Sequence, residues 1–132
     1  MGVLSIFSCK NNEEHQQEKL KRIILTTDLI NDSAAAFAYD YYHSPQHIWP
    51  EIDNAAKVSG IRTMQIYRLK TRLFMILEFP ADADREKMGA LYSNSSSRMK
   101  EWDIIMNKLQ KNPLDTSQKN KWVEMKSVYN YE

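Results

Sequence analysis

The sequence predicts a single α+β domain in which two helical segments cover one face of a four-stranded antiparallel sheet. Short runs of β-branched and apolar residues alternate with stretches whose apolar residues recur at helical spacing. The composition is 42% hydrophobic and 27% charged, with 3 Gly and 4 Pro, which is typical of a packed globular protein. The 132 residues suffice for one core of ordinary size. We therefore expect one domain over residues 21–132.

Residues 1–20 are predicted to be a disordered tether, because residues 10–21 are polar throughout and show no periodicity. The apolar stretch from Met1 to Cys9 resembles the tail of a bacterial lipoprotein signal. In that interpretation Cys9 is a lipid anchor and the protein belongs to the cell envelope. The stretch is short and has no basic region before it, so the alternative is an N-terminal extension of a cytoplasmic protein.

The first half of the domain begins with a strand over residues 22–29, which is apolar and β-branched. The segment 31–33, Asn-Asp-Ser, supplies an N-cap for a helix over residues 34–42. Pro45 interrupts that helix, since proline has no N–H to continue the hydrogen-bond ladder. A second helical piece runs from Pro50 to Ser59.

The second half begins at Gly60, which closes that helix. Two strands follow, over residues 61–69 and 73–79, joined as an antiparallel hairpin. The remaining predicted elements are helical stretches at 82–92 and 99–109, separated by a serine-rich break, and a last strand at 122–129. The order is β-α-β-β-α-β, the ferredoxin-like arrangement.

A sheet with helices on one face leaves its other face in need of a cover. The strand segment Leu73 to Leu77 is apolar on both faces, which favours burial of the second face as well. We expect a homodimer, since a second copy of the chain is the simplest cover.

Charge and residue counts exclude several classes of partner. Lys and Arg number 18 against 17 Asp and Glu, so the chain has no net field that would gather nucleic acid. One cysteine and three histidines without metal-motif spacing predict no metal site. No apolar run of 18 residues exists, so no membrane span is expected.

The densest polar and aromatic cluster contains Tyr39 and His43, four residues apart on one helix face. An imidazole can both give and take a proton near neutral pH. Trp102 on the later helix offers a flat apolar surface of the kind that packs against sugar rings. Spacing alone also fits ordinary packing contacts for all three residues, so it leaves the function open.

A resemblance to a known protein family favours one function. Tyr39-x-x-x-His43 followed by Ile-Trp-Pro-Glu-Ile at residues 48–52 resembles the signature of the L-rhamnose mutarotase family. Further matching segments, in the family's order, are Gly60-x-x-x-x-Gln65-Ile66-Tyr67, Glu101-Trp102, Asn112-Pro113 and the strand 122–129. The resemblance covers residues 22–131.

The resemblance implies a dimeric ferredoxin-like isomerase that interconverts the α and β anomers of L-rhamnose or a related deoxyhexose without a cofactor. His43 matches the family's proton donor, Tyr39 a substrate-contacting tyrosine, and Trp102 one of two consecutive tryptophans in the sugar pocket. The other tryptophan is Glu101 here, and a second substrate-contacting tyrosine appears as Met64. These two changes are expected to alter which hydroxyl pattern the pocket accepts.

Three alternatives stay open. Two extra residues separate His43 from Trp49 and bring in His47, which is an alternate candidate for the acid. The altered pocket also fits a sugar-binding relative without catalysis. The fold by analogy further admits a cofactor-free monooxygenase-like protein.

Overall fold

The computed structural model describes residues 17–30 and 33–132, and it confirms the α+β class. The strands are β1 (Leu20–Leu29), β2 (Thr63–Leu69), β3 (Arg72–Pro80), β4 (Gln110–Lys111) and β5 (Val123–Glu124). The helices are α1 (Ser33–His43), α2 (Pro50–Ser59), α3 (Arg85–Ser93) and α4 (Met99–Leu109). Cys9, most of the predicted tether and the N-cap residues Asn31 and Asp32 lie outside the described residues.

The sheet is antiparallel and has the order β2-β3-β1-β4, with β5 also paired to β1. β2 and β3 form the predicted hairpin, and β3 pairs along nearly all of β1. The described residues form five strands where four were expected, because two short strands, β4 and β5, share one edge of β1 and pair with residues 28–29 and 25–26 respectively. The ferredoxin-like order is therefore kept.

The last strand is much shorter than the sequence predicts. Only Val123 and Glu124 are in strand conformation, and the Met125 N–H still donates to the Ile24 carbonyl at 2.7 Å. The prediction of a strand over 122–129 is wrong in extent, because the chain leaves β1 after Met125 and the alternating residues beyond it have no strand partner in the described part of the chain. Val128 and Tyr129 are 89% and 81% exposed.

Each of the two predicted helical segments is divided into a pair of helices, as the proline, glycine and serine positions predict. α1 ends at His43 just before Pro45, and α2 begins with Trp49 at its N-cap and Pro50 in its first turn. Gly60 ends α2 in the left-handed region at φ 94°, which a side chain would disfavour. The break after α1 turns the chain directly behind His43.

All four helices pack toward one face of the sheet, where alternate residues of β1 and β3 point into the core. The buried cluster consists of Leu29, Ala35, Tyr39, Ile52, Ala55, Leu73, Met99, Trp102 and Met106. On the opposite face, Ile24, Phe74 and Ile76 are half-buried and Tyr67 is 56% exposed. Among the described residues, no helix is long and apolar enough to cross a membrane.

Candidate active site

A cavity of about 530 Å³ opens between the helices and the sheet. Its volume falls within the range of about 300–1,000 Å³ that is typical of small-molecule sites. The sheet contributes an apolar floor made of Ile23, Leu25, Met64, Ile66, Met75, Leu77 and Phe79. The helices contribute most of the polar and aromatic walls, so a ligand here would meet apolar groups on one side and hydrogen-bonding groups on the other.

Tyr39 and His43 lie together on the wall formed by α1. Their rings are stacked, with centroids 4.0 Å apart and planes inclined by 21°. The two residues are one helical turn apart, so their side chains leave the helix on the same face. Tyr39 is only 3% exposed, and both residues line the cavity.

A hydrogen bond sets the tautomer of His43. Its Nδ1 lies 2.8 Å from the Tyr39 carbonyl oxygen, which can only accept, so Nδ1 carries the proton and donates. In the neutral ring Nε2 is then left as an acceptor, and this atom has no hydrogen-bond partner among the described residues. The imidazole therefore presents a basic nitrogen that remains available to a ligand.

Burial keeps this imidazole neutral. Desolvation lowers the pKa of His43 below its ordinary value of 6.5, and it outweighs the hydrogen bond to Tyr39 and the charge of Asp40, which both raise the pKa. Burial also raises the pKa of the Tyr39 phenol, with smaller contributions from Tyr92 and Asp40. At neutral pH the pair thus consists of a proton acceptor on His43 and a phenol that holds its proton.

Trp102 supports the imidazole from α4. Its indole meets the His43 ring edge to face, with centroids 5.2 Å apart, and meets Trp49 in the same manner at 5.3 Å. Trp102 is 6% exposed and lines the cavity, so it belongs to both the core and the cavity wall. Met64 reaches the same cavity from β2, at the position where the resemblance led us to expect a tyrosine.

Glu101 and His47 lie elsewhere. The Glu101 side chain is 64% exposed, pairs with Arg98 at 3.4 Å and does not line the cavity. The Arg98 guanidinium lies 3.7 Å from the centre of the Trp49 ring, so a cation covers that indole. His47 is exposed and lies outside the cavity, with its Nδ1 2.9 Å from the Ser44 hydroxyl.

The structure thus gathers four of the six predicted residues at one cavity: Tyr39, His43, Met64 and Trp102. It also adds polar wall residues that the sequence analysis missed, namely Arg85, Tyr92, Ser93, Asp103, Asn107, Gln110 and Asn120. Asp103, Asn107 and Gln110 are four and three residues apart, and this helical spacing could have indicated from the sequence that they share one helix face. Within the described residues, no group of three or more His, Cys, Asp or Glu side chains is arranged to hold a metal ion.

Known proteins resemble this chain over nearly the whole domain. A UPF0734 protein from Dictyostelium discoideum is 33% identical over 105 residues, which is 77% of this chain and 82% of the relative. An L-fucose mutarotase from Xanthomonas campestris pv. campestris is 26% identical over 110 residues, which is 83% of this chain and 87% of that enzyme.

A crystal structure of an L-rhamnose mutarotase from Formosa agariphila matches with a TM-score of 0.57 and 18% identity, over 85% of this chain and 99% of that one. At this identity the likeness supports the fold alone. The sequence model of the L-rhamnose mutarotase family matches residues 22–131. The chain therefore belongs to the L-rhamnose mutarotase family, whose members are carbohydrate isomerases.

Proposed function

We propose that this protein is a sugar mutarotase that interconverts the α and β anomers of L-rhamnose, L-fucose or a related deoxyhexose, with His43 as the group that exchanges the proton. The observation that carries the proposal is the state of the His43 ring. Its Nδ1 donates to the Tyr39 carbonyl, its Nε2 has no hydrogen-bond partner in the described part of the chain, and the residue lines a cavity of about 530 Å³.

Anomer exchange requires the chemistry that this pair can supply. A base takes the proton of the anomeric hydroxyl, the bond between C1 and the ring oxygen breaks, and the ring oxygen gains a proton. After rotation about the C1–C2 bond, the reverse steps close the ring on the other face of the carbonyl. The neutral His43 takes the proton of the anomeric hydroxyl and, as the imidazolium, delivers it to the ring oxygen. During closure it takes the proton back from that hydroxyl and gives it to the carbonyl oxygen.

The Tyr39 hydroxyl supports this exchange as a hydrogen-bond donor. Its raised pKa keeps the proton on the phenol, so it can stabilise negative charge that develops on a sugar oxygen. The stacking of its ring on His43 supports this proposal, because it keeps the donor and the base next to each other on the α1 wall. No redox change and no net transfer of protons is needed for the overall reaction.

The choice of deoxysugar follows from the family and from the cavity floor. A methyl group in place of a hydroxymethyl group suits an apolar surface such as the one that Met64, Met75 and Leu77 form. L-Rhamnose is the default substrate because of the family, and L-fucose is the second candidate because a relative carries that name.

Saturation-transfer NMR tests the proposal directly, because saturating one anomeric proton signal reduces the other only when the anomers interconvert quickly. We expect wild-type protein to accelerate exchange for L-rhamnose, L-fucose or both, and to leave D-glucose near its spontaneous rate. Binding of a sugar without faster exchange would indicate the sugar-binding alternative and contradict the mutarotase. Acceleration of every sugar alike would contradict the proposed selectivity.

We further propose that a second copy of the chain covers the open face of the sheet. The middle of this face is apolar, with Ile24, Phe74, Ile76 and the more exposed Tyr67, and charged side chains of the same strands flank it. An uncovered apolar sheet face of this kind usually marks an interface.

Sedimentation velocity of matched variants tests the homodimer. Ile76→Glu places a charge on the open face and is expected to give monomers, because an unpaired charge in an interface is strongly unfavourable. Phe37→Glu is the control, since Phe37 is 74% exposed on α1, on the helical side of the sheet. Wild-type protein that sediments as a monomer at tens of micromolar would refute the dimer.

A further inference from the structure

One wall of the cavity carries polar side chains that the proposed proton exchange does not use. Asp103, Asn107 and Gln110 all line the cavity and follow one another at intervals of four and three residues along α4 and just beyond its end. Asp103 and Asn107 each lie one position after a buried residue, Trp102 and Met106 respectively. Because residues four apart share a helix face, Asp103 and Asn107 form an exposed polar edge of α4 that lines the cavity next to these two apolar side chains.

These polar groups are left unpaired by the protein itself. The side chains of Asp103, Asn107 and Gln110 make no hydrogen bond to any other residue in the described ranges. Gln110 is only 5% exposed, but its side-chain amide still contacts solvent. An amide this deeply placed is costly to leave without a partner, so it must be satisfied by a guest in the cavity or by water.

Tyr92 completes the group from α3. Burial raises the pKa of its phenol to about 12, and the nearby charges of Asp103 and Asp53 act in the same direction. The phenol therefore keeps its proton and can donate. Partial burial also raises the pKa of Asp103, as expected for a carboxyl at the edge of an apolar cavity.

We propose that Asp103, Asn107, Gln110 and Tyr92 form a second binding wall that reads the secondary hydroxyl groups of the sugar, with Asp103 accepting hydrogen bonds from two adjacent hydroxyls. This inference rests on the proposed function and extends it. A carboxylate has two acceptor oxygens and no donor, so it is matched by a pair of neighbouring hydroxyl protons. The two amides and the phenol supply donors for the lone pairs of the same hydroxyls.

This placement assigns proton exchange and substrate recognition to different walls of the cavity. His43 exchanges the proton and Tyr39 donates a hydrogen bond, while the wall around Asp103 selects the hydroxyl pattern. A vicinal diol is therefore the recognised feature of the substrate.

The test measures binding and turnover for Asp103→Asn, with Asp53→Asn as the matched control. Both carboxylates act on the pKa of Tyr92, but Asp53 does not line the cavity, so the control isolates the direct contact. The probes are L-rhamnose, L-fucose and their 2-, 3- and 4-deoxy analogues. Dissociation constants come from NMR titration, and kcat and KM come from anomer exchange.

We expect Asp103→Asn to raise the dissociation constant and KM of the best parent sugar about 10- to 100-fold, as for loss of hydrogen bonds to a charged group, with kcat much less affected. A deoxy analogue that lacks one contacted hydroxyl should already bind the wild-type protein weakly and lose little more in the variant. Asp53→Asn should stay within about twofold, as for surface changes in general.

Unchanged binding of every probe by Asp103→Asn, while wild-type protein binds and exchanges the sugars, would overturn this inference and leave the mutarotase proposal standing. An equal loss for the parent sugar and all of its deoxy analogues would also overturn it, because no particular hydroxyl pair would then be read. Failure of wild-type protein to bind or exchange any of the sugars would overturn both proposals. Thermal unfolding at the wild-type temperature establishes that the variant is folded.

Discussion

Two tyrosine–histidine ring stacks of almost the same geometry lie within nine residues of each other. Tyr39 and His43 have centroids 4.0 Å apart at 21°, and Tyr41 and His47 have centroids 3.9 Å apart at 23°. The first pair lines the cavity beneath Trp102. The second pair is exposed, and the imidazole of His47 is engaged by Ser44.

The paired rings alone do not distinguish a candidate site, because the two pairs have almost the same geometry. The environment of the rings distinguishes it. Both pairs offer a phenol and an imidazole in contact, but the described structure encloses only one of them in a cavity. Desolvation lowers the pKa of His43. The hydrogen bond of its Nδ1 to Tyr39 leaves Nε2 as the acceptor of a residue that lines the cavity. The exposed pair therefore serves as an internal control for the buried pair.

The largest expected effect comes from removing each imidazole in turn. His43→Asn should reduce kcat for anomer exchange about 10²- to 10⁴-fold, the usual loss when a general acid or base is removed. His47→Asn should leave the rate nearly unchanged, because its side chain lies outside the cavity. Exchange kinetics by NMR separate the two outcomes. A loss confined to His47→Asn would assign the reaction to the exposed pair.

The second largest difference is expected between removal of the Tyr39 hydroxyl and removal of the Tyr41 hydroxyl. Tyr39→Phe should lower kcat/KM about tenfold, since one hydrogen bond from a neutral donor contributes roughly this much. Tyr41→Phe should have little effect, because Tyr41 is 46% exposed and does not line the cavity. Equal effects in the two variants would show that the cavity does not distinguish the pairs.

The pH dependence follows from the direction of the His43 shift. Because burial lowers its pKa below 6.5, the basic form of His43 predominates at pH 7, and kcat/KM should decrease as the pH falls below 6.5. The unfolded chain takes up a proton on this residue near 6.5 while the folded protein resists it, so the free energy of unfolding should also decrease as the pH falls below 6.5. NMR titration of the His43 ring checks the midpoint, and a midpoint above 6.5 would contradict the assigned burial.

The smallest expected effect comes from Asp40, which lies on α1 between the two pairs. Its carboxylate binds Arg68 at 2.6 and 2.8 Å, which lowers the pKa of Asp40, and its charge raises the pKa of His43. Asp40→Asn should therefore move the His43 titration to lower pH. The free energy of unfolding should change by no more than about 1 kcal/mol, because the ion pair is largely exposed. The measurements are the same NMR titration and urea unfolding at pH 7.

Local sequence features predicted much of the fold because they depend on neighbouring residues. The break at Pro45, the α2 start at Pro50 and the left-handed Gly60 were all expected and are all observed. The strand over 122–129 failed, because a strand persists only where another strand pairs with it. That partner, β1, is about 100 residues away in the chain and accompanies it only as far as Met125.

In the candidate site, too, local spacing could be predicted from the sequence and contacts between distant segments could not. Tyr39 and His43 could be placed together from their spacing, since one helical turn brings them onto one face. Glu101 was expected in the pocket because it neighbours Trp102, but successive helix positions diverge, and the ion pair with Arg98 holds it at the surface. Tyr92 and Asp103 belong to different helices, so no local pattern could bring them to one cavity.

The sequence by itself thus determined the α+β class, the positions at which helices begin and end, and the pairing of a phenol with an imidazole on α1. Those features arise from backbone preferences and from residue spacing within a few turns. Only the tertiary structure decided which histidine is desolvated, which polar residues wall the cavity and how far the last strand extends. Each of these depends on which distant segments exclude water from a given side chain, and that exclusion exists only once the sheet and helices have packed.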